Sequence, residues 1–162
     1  MMKKLITLFL GLTLFSCNDG DFDIPAFEFT ETMNSCGEYI LYKTSQDKTE
    51  VLVLSLSNVH INSTLGEVTY PVSSTLKVTY RIFETGISAN YFCQSIPPAT
   101  PKVIKELLAD SGNLNITTSE ILVNGVQTGY TYKISISNLL FLDTKDRIFF
   151  ENYNFGTFTK NN

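Results

Sequence analysis

Strict alternation of apolar and polar residues constrains this chain more than any other feature. In residues 75–83, Leu76, Val78, Tyr80 and Ile82 fall on one face while Lys77, Thr79 and Arg81 fall on the other. Leu52, Leu54 and Leu56 repeat the pattern against Ser55 and Ser57, and Tyr132, Ile134 and Ile136 repeat it against Lys133, Ser135 and Ser137. Successive side chains of an extended strand point to opposite faces, so period two predicts half-buried strands. The same segments are rich in Val, Ile, Thr, Tyr and Phe, which suit a pleated surface.

The turns agree with this. Asn124-Gly125 separates Ile121-Leu122-Val123 from the strand that ends at Ser137. Both residues tolerate the positive φ of a type I′ turn, so the dipeptide predicts a hairpin. Gly129 then suggests a bulge. Ser45-Gln46-Asp47-Lys48 predicts an earlier hairpin between residues 38–44 and 49–57, and residues 147–150 and 155–159 read as two short final strands.

One segment departs from the alternation. Val103, Ile104, Leu107 and Leu108 share a helical face, behind Thr100 as a cap and Pro101 in the first turn, with Gly112 beyond. This spacing predicts a short helix over residues 101–110, preceded by an extended Ile96-Pro97-Pro98. Many short strands, hairpin turns and one helix give a mainly β fold: a β-sandwich of antiparallel strands with one short helix, or alternatively an open β-barrel. An immunoglobulin-type core has no specific support, since no tryptophan is present to pack on a disulfide. Val53-Leu54-Ser55-Leu56-Ser57-Asn58 resembles Lys133-Ile134-Ser135-Ile136-Ser137-Asn138. Convergence of strands with a serine-lined face explains the likeness better than duplication does.

The N-terminus has a different character. Lys3 and Lys4 precede an apolar stretch over residues 5–15, which closes on Leu14-Phe15-Ser16-Cys17. The stretch is too short to span a bilayer and has the three-part form of a secretory signal. The run ending in Cys17 resembles the lipobox of a bacterial lipoprotein, with Phe15 larger than the residue common at its place. The resemblance implies that residues 1–16 are removed and that Cys17 carries two or three acyl chains, palmitate among them. It also implies that the protein is held on a membrane by that lipid. Several chains anchor durably where one binds only marginally. Asn18-Asp19-Gly20-Asp21-Phe22-Asp23 follows and reads as an acidic flexible tether over residues 17–25, ahead of a single β-rich domain over 26–162. Such an acidic stretch resembles those of surface-exported lipoproteins. The expected location is therefore the outer membrane with exposure at the cell surface, the periplasmic face being the alternative. Asp19, Asp21 and Asp23 alternate as in an EF-hand loop, but Ile24 stands where that loop needs glycine and Thr30 where it needs glutamate.

Composition narrows the partners. The signal holds two of the twelve basic residues and none of the sixteen acidic ones, so the mature chain carries a net charge of −6. No basic cluster exists, which argues against nucleic acid as a partner. With Cys17 assigned to lipid, Cys36 and Cys93 remain as an even pair in an oxidising compartment. A disulfide between them is the expectation, with two separated buried thiols as the alternative.

Chemistry is harder to find. His60 is the one histidine and lacks the neighbours that a metal site or a Ser-His-Asp site needs, so a structural or solvent-facing role is expected. The Ser-x-x-Lys tetrads at Ser45 and Ser74 lie in a turn and at the start of a strand, where serine and lysine do not share a face. Glu28, Glu31, Glu38, Glu67, Glu84 and Glu120 show no spacing that selects a catalytic pair. No catalytic residue, metal or cofactor is therefore assigned. Tyr91, Tyr130 and Tyr153 lie near turns and are the candidates for ligand stacking. Residues 91–101 resemble a stretch of small uncharacterised bacterial lipoproteins, a likeness that implies no activity. The expected function is a lipid-anchored, non-enzymatic binding or interaction module with an envelope protein or a glycan as partner. The alternative is an envelope hydrolase of the carboxylate-pair type.

Overall fold

The alternating segments pair into one antiparallel sheet that curls around its own apolar face. The computed structural model describes residues 27–162 except Pro97, Lys145 and the side chain of Asp146, so the signal, Cys17 and the tether lie outside the described residues. The strands are β1 (Asn34–Cys36), β2 (Ile40–Thr44), β3 (Glu50–Ser55), β4 (Gly66–Pro71), β5 (Lys77–Phe83), β6 (Val103–Val123), β7 (Val126–Asp143) and β8 (Asp146–Asn161). Their order is β1-β2-β3-β5-β6-β7-β8, with β4 also paired to β6. β4 and β5 lie end to end along one side of β6, β4 against Asn113–Thr118 and β5 against Val103–Leu108. The molecule is thus mainly β, and of the two expected architectures the open barrel describes it: a half-barrel from a single sheet.

The concave side holds the main core. Leu41, Leu52, Leu54, Val78, Tyr80, Leu114, Ile134, Ile136, Phe141 and Phe155 belong to one buried cluster. Leu52 and Leu54, Val78 and Tyr80, and Tyr132, Ile134 and Ile136 take the inward places that the alternation predicts. Phe27 enters this core and stacks on Tyr80 at 4.1 Å. It also meets Phe150 at 5.2 Å and Phe141 at 5.9 Å.

Side chains close the gap between the two ends of the strand order. Lys43 reaches across from β2 to the carbonyl oxygen of Asn154 on β8 (3.4 Å), and Lys160 pairs with Glu38 at 2.7 Å. Phe29 lies edge-on to Tyr153, and Met33 packs against Gly156.

The sheet bends halfway along its long strands. β6 and β7 shift register on either side of Ser111, Gly112 has φ +152°, and Asn138 has φ 52°. A side chain at Gly112 would meet Val72 and the backbone of Leu139. Glycine lets β6 turn here from its pairing with β4 to its pairing with β5.

A second apolar cluster lies on the opposite, outer face. Tyr42, Val51, Val53 and Phe83 project there from β2, β3 and β5, and Ile87 and Tyr91 cover them. The cover is the connection over residues 84–102, which carries one 3₁₀ turn, Tyr91–Cys93. Cys93 is bonded to Cys36 of β1 with the Cα atoms 5.1 Å apart, as the cysteine count suggested. Tyr42 donates a hydrogen bond to the Ala89 carbonyl at 2.6 Å, which fixes the cover from beneath.

The helix expected over residues 101–110 is absent: β6 runs through it from Val103. Leu107 and Ala109 face the core, while Ile104 and Leu108 are exposed. Two apolar rows of period two interleave here and imitate helical spacing. The two short final strands are one strand, β8, with a register shift opposite Ile134 and Ser135. The hairpins at Ser45-Lys48 and Asn124-Gly125 form as expected, and the second has φ 54° and 79° at its two central residues. The bulge expected at Gly129 is present as the register shift between Ile121 and Leu122, which leaves Thr128 without a ladder partner.

Candidate functional site

The end of the β6–β7 hairpin stands clear of the rest of the sheet. β4 pairs with β6 only as far as Thr118, and β8 pairs with β7 from Gly129 onward. Between these limits β6 and β7 are, among the described residues, each other's ladder partners, and Asn162 alone reaches in from the C-terminus, donating its N–H to the Thr128 carbonyl at 3.0 Å and its side-chain amide to Gln127 at 3.1 Å. Leu122, Val123 and Val126 are 58%, 53% and 65% exposed there, although Val123 and Val126 face each other in the ladder. Val123 and Val126 share one face of this projecting end and Leu122 lies on the other. Such apolar surface gains free energy when covered, about 25 cal/mol for each Å² removed from water.

A second exposed apolar group lies at the other end, on the outer face. Leu108 of β6, Leu142 of β7 and Phe149 of β8 are 54%, 47% and 57% exposed. The ladder makes them neighbours: Ala109 pairs with Phe141, which sets Leu108 beside Leu142, and Phe149 pairs with Leu140. Neither group was singled out from the sequence. The signal for the second was the unbroken apolar runs Leu139-Leu140-Phe141-Leu142 and Ile148-Phe149-Phe150, which give both faces of a strand an apolar residue.

The three candidate tyrosines lie in different places. Tyr91 is buried in the cover, edge-on to Phe83 and Phe92. Tyr153 is half-buried at the closure, where desolvation pushes its hydroxyl well above the ordinary tyrosine range. Lys43 lies 5.7 Å from its ring centre, and burial lowers the lysine's pKa against the opposing pull of Glu31. Tyr130 is half-buried below the hairpin end, with Tyr132 at 6.4 Å. No ring contact joins two of the three, so they do not form a shared stacking platform.

The polar candidates take structural positions. His60 accepts the Ser57 backbone N–H at Nδ1 (3.0 Å) and packs edge-on to Tyr70, and burial lowers its pKa. Glu38 is in the ion pair with Lys160, Glu67 lies on β4, and Glu84 opens the cover. Glu28 lines an open depression with Ser45, Gln46, Asp47 and Glu50. Asp47 accepts hydrogen bonds from the Ser45 hydroxyl and from the Thr49 hydroxyl and N–H, which hold its carboxyl below the usual range. A carboxylate held ionised this way suits a turn rather than proton donation. Glu50 accepts the Tyr80 hydroxyl at 2.8 Å. Among the described residues, no three His, Cys, Asp or Glu side chains gather as a metal would need. No helix among them is long and apolar enough to cross a membrane.

No protein-family model matches this chain, and neither the curated proteins nor the solved structures contain a significant match to it.

Proposed function

We propose that this is a lipid-anchored protein of the bacterial cell envelope that works by contact rather than by catalysis, with the β6–β7 hairpin end as its contact surface. The observation that carries the reading is the exposure of Leu122, Val123 and Val126 on a turn that projects past its neighbours. The anchor is Cys17, on the sequence resemblance, and the outer membrane with surface exposure is the proposed location. Phe27 packs level with Ala109 of β6, through Phe141, and the turn lies fifteen residues further along that strand. At about 3.3 Å per residue this is roughly 50 Å of strand contour, bent at Gly112, so Phe27, where the described chain begins, and the hairpin end lie toward opposite ends of β6.

An apolar tip favours a protein partner over a glycan, because sugar recognition needs exposed aromatic faces with polar groups beside them. Tyr91 and Tyr153 are packed against other rings instead. The test is a photoactivatable cross-linker placed at Val126 in cells of the native organism. A discrete adduct with an envelope protein, lost in the Val123→Asp variant and absent with the cross-linker at Lys77, is the expected result. Adducts that do not depend on position would refute the contact surface. The anchor is tested separately, by the mass of the native N-terminus: an unmodified Cys17 would end that part of the reading.

A further inference from the structure

The outer apolar group at the N-terminal end calls for its own account. On β2, β3 and β5 the outer apolar residues are covered by residues 84–102, and Val51, Val53 and Phe83 are nearly inaccessible. On β6, β7 and β8 the equivalent face shows Leu108, Leu142 and Phe149 to water. This patch lies on the same stretch of sheet as the point where the chain enters. Phe27 packs inside against Phe141 and Phe150, whose sequence neighbours Leu142 and Phe149 point the other way. Nine residues lie between Cys17 and Phe27, ten Cα steps in all. Fully extended, they reach at most roughly 35 Å. A lipid on Cys17 therefore keeps this patch within reach of the bilayer, while the hairpin end lies some 50 Å further along β6.

From this placement we infer that Leu108, Leu142 and Phe149 form a membrane seat, resting on the bilayer that holds the N-terminal lipid, with the β6–β7 hairpin end, beyond the bend at Gly112, outside the contact. The inference rests on the anchor reading above. Its chemistry is apolar insertion at the level of the headgroups. Arg147 lies directly opposite Leu142 in the ladder and is exposed. Its stem can lie along the apolar patch with the guanidinium among lipid phosphates. Asp110, also exposed, lies toward the hairpin end and marks the edge of the contact. A mature charge of −6 gives no general attraction to anionic lipid, so the seat takes a zwitterionic surface.

The chain contains no tryptophan, and with Cys36 bonded to Cys93 the unlipidated chain from Cys17 onward has one thiol outside the disulfide, that of Cys17. The chain from Cys17 onward is coupled through that thiol to a maleimide lipid in phosphatidylcholine vesicles. Attachment is then fixed chemically, so failure of the seat and failure of the native anchor are read in different experiments. Phe149→Trp and Val126→Trp each supply a sole tryptophan, excited selectively over the tyrosines, and the vesicles carry brominated acyl chains. We expect F149W to be quenched about twofold and V126W to change by no more than about a tenth, as burial at the interface of one end alone requires. Adding Leu108→Ser and Leu142→Ser to F149W should abolish the quenching. Unquenched F149W, equal quenching of both reporters, or quenching that survives the two serines would each overturn the seat. So would a blue shift of F149W without vesicles accompanied by a dimer in sedimentation, since a second copy would then be the occupant.

Discussion

The two halves of the outer face are made from the same kind of strand and end differently. Over β2, β3 and β5 the chain provides its own roof, fastened by a disulfide and by the hydrogen bond from Tyr42 to Ala89. Over β6, β7 and β8 the ladder is longer, yet among the described residues no segment covers Leu108, Leu142 and Phe149. The difference separates two uses of apolar surface. The covered half stabilises the fold, and the bare half adds little to it and is free for another surface.

That contrast can be broken or sharpened by measurement. The largest effect should come from replacing Cys36 and Cys93 together with serine. They close a loop with a sequence separation of 57. Chain-entropy arguments give about 4 kcal/mol for such a loop, read as a lower urea midpoint. Hydrogen exchange should speed up beneath the cover and stay slow in the β6–β7 ladder. A uniform loss of protection would mean that the halves are not separable.

Phe83→Ala comes next. It empties a ring that is 2% exposed beneath the cover and should destabilise by about 3 kcal/mol in the same assay. A loss below about 1 kcal/mol would show that the cover collapses into the gap and is less firmly packed than its burial suggests.

A smaller effect is expected from pH and should touch both halves alike. His60 has a lowered pKa when folded, by burial. As pH falls through the ordinary imidazole range, about 6.5, the unfolded ring takes up a proton while the folded ring stays neutral. The unfolded state then holds more protons, so His60 lowers stability on acidification until its folded pKa is passed. The His60→Asn variant should lose stability less steeply between pH 7 and 5 than the parent protein. The gap between the Phe83 and Leu142 variants should not move.

The smallest effect is Leu142→Ser on the bare half, within about 0.5 kcal/mol in solution, because the side chain is already 47% exposed. A loss comparable to that of Phe83→Ala would show the bare face to be part of the core.

Much of this fold was legible in the sequence where one face of a strand was polar. Lys77 and Arg81 against Val78 and Tyr80 left no doubt about direction, and Asn124-Gly125 fixed the hairpin. The architecture was legible only to the level of a mainly β chain, because the curl depends on backbone events at Ser111, Gly112 and Asn138 that local pattern does not announce. Residues 103–109 misled because strands with apolar residues on both faces lose their period. Leu107 and Ala109 on one row and Ile104 and Leu108 on the other satisfy a helical template as well. The same ambiguity hid both exposed groups. The burial of two of the tyrosines is hidden for a related reason: nearness to a turn does not expose a ring when another segment folds over it, as at Tyr91, or when it fills a closure, as at Tyr153.

The way residues 27–33 fill the opening between β2 and β8 has a mechanical side. Among the described residues, tension arriving from the N-terminal direction meets this stretch before β1, and ring contacts together with the Thr30–Thr44 backbone bond are what resist it. It should peel away at low force, visible in single-molecule pulling as a short early extension. Peeling then halts at Cys36, where the covalent link to Cys93 passes the load into the cover and the strands beneath it. The protein thus has slack with a hard stop, so a pull from the N-terminal side lengthens the leash before it strains the sheet.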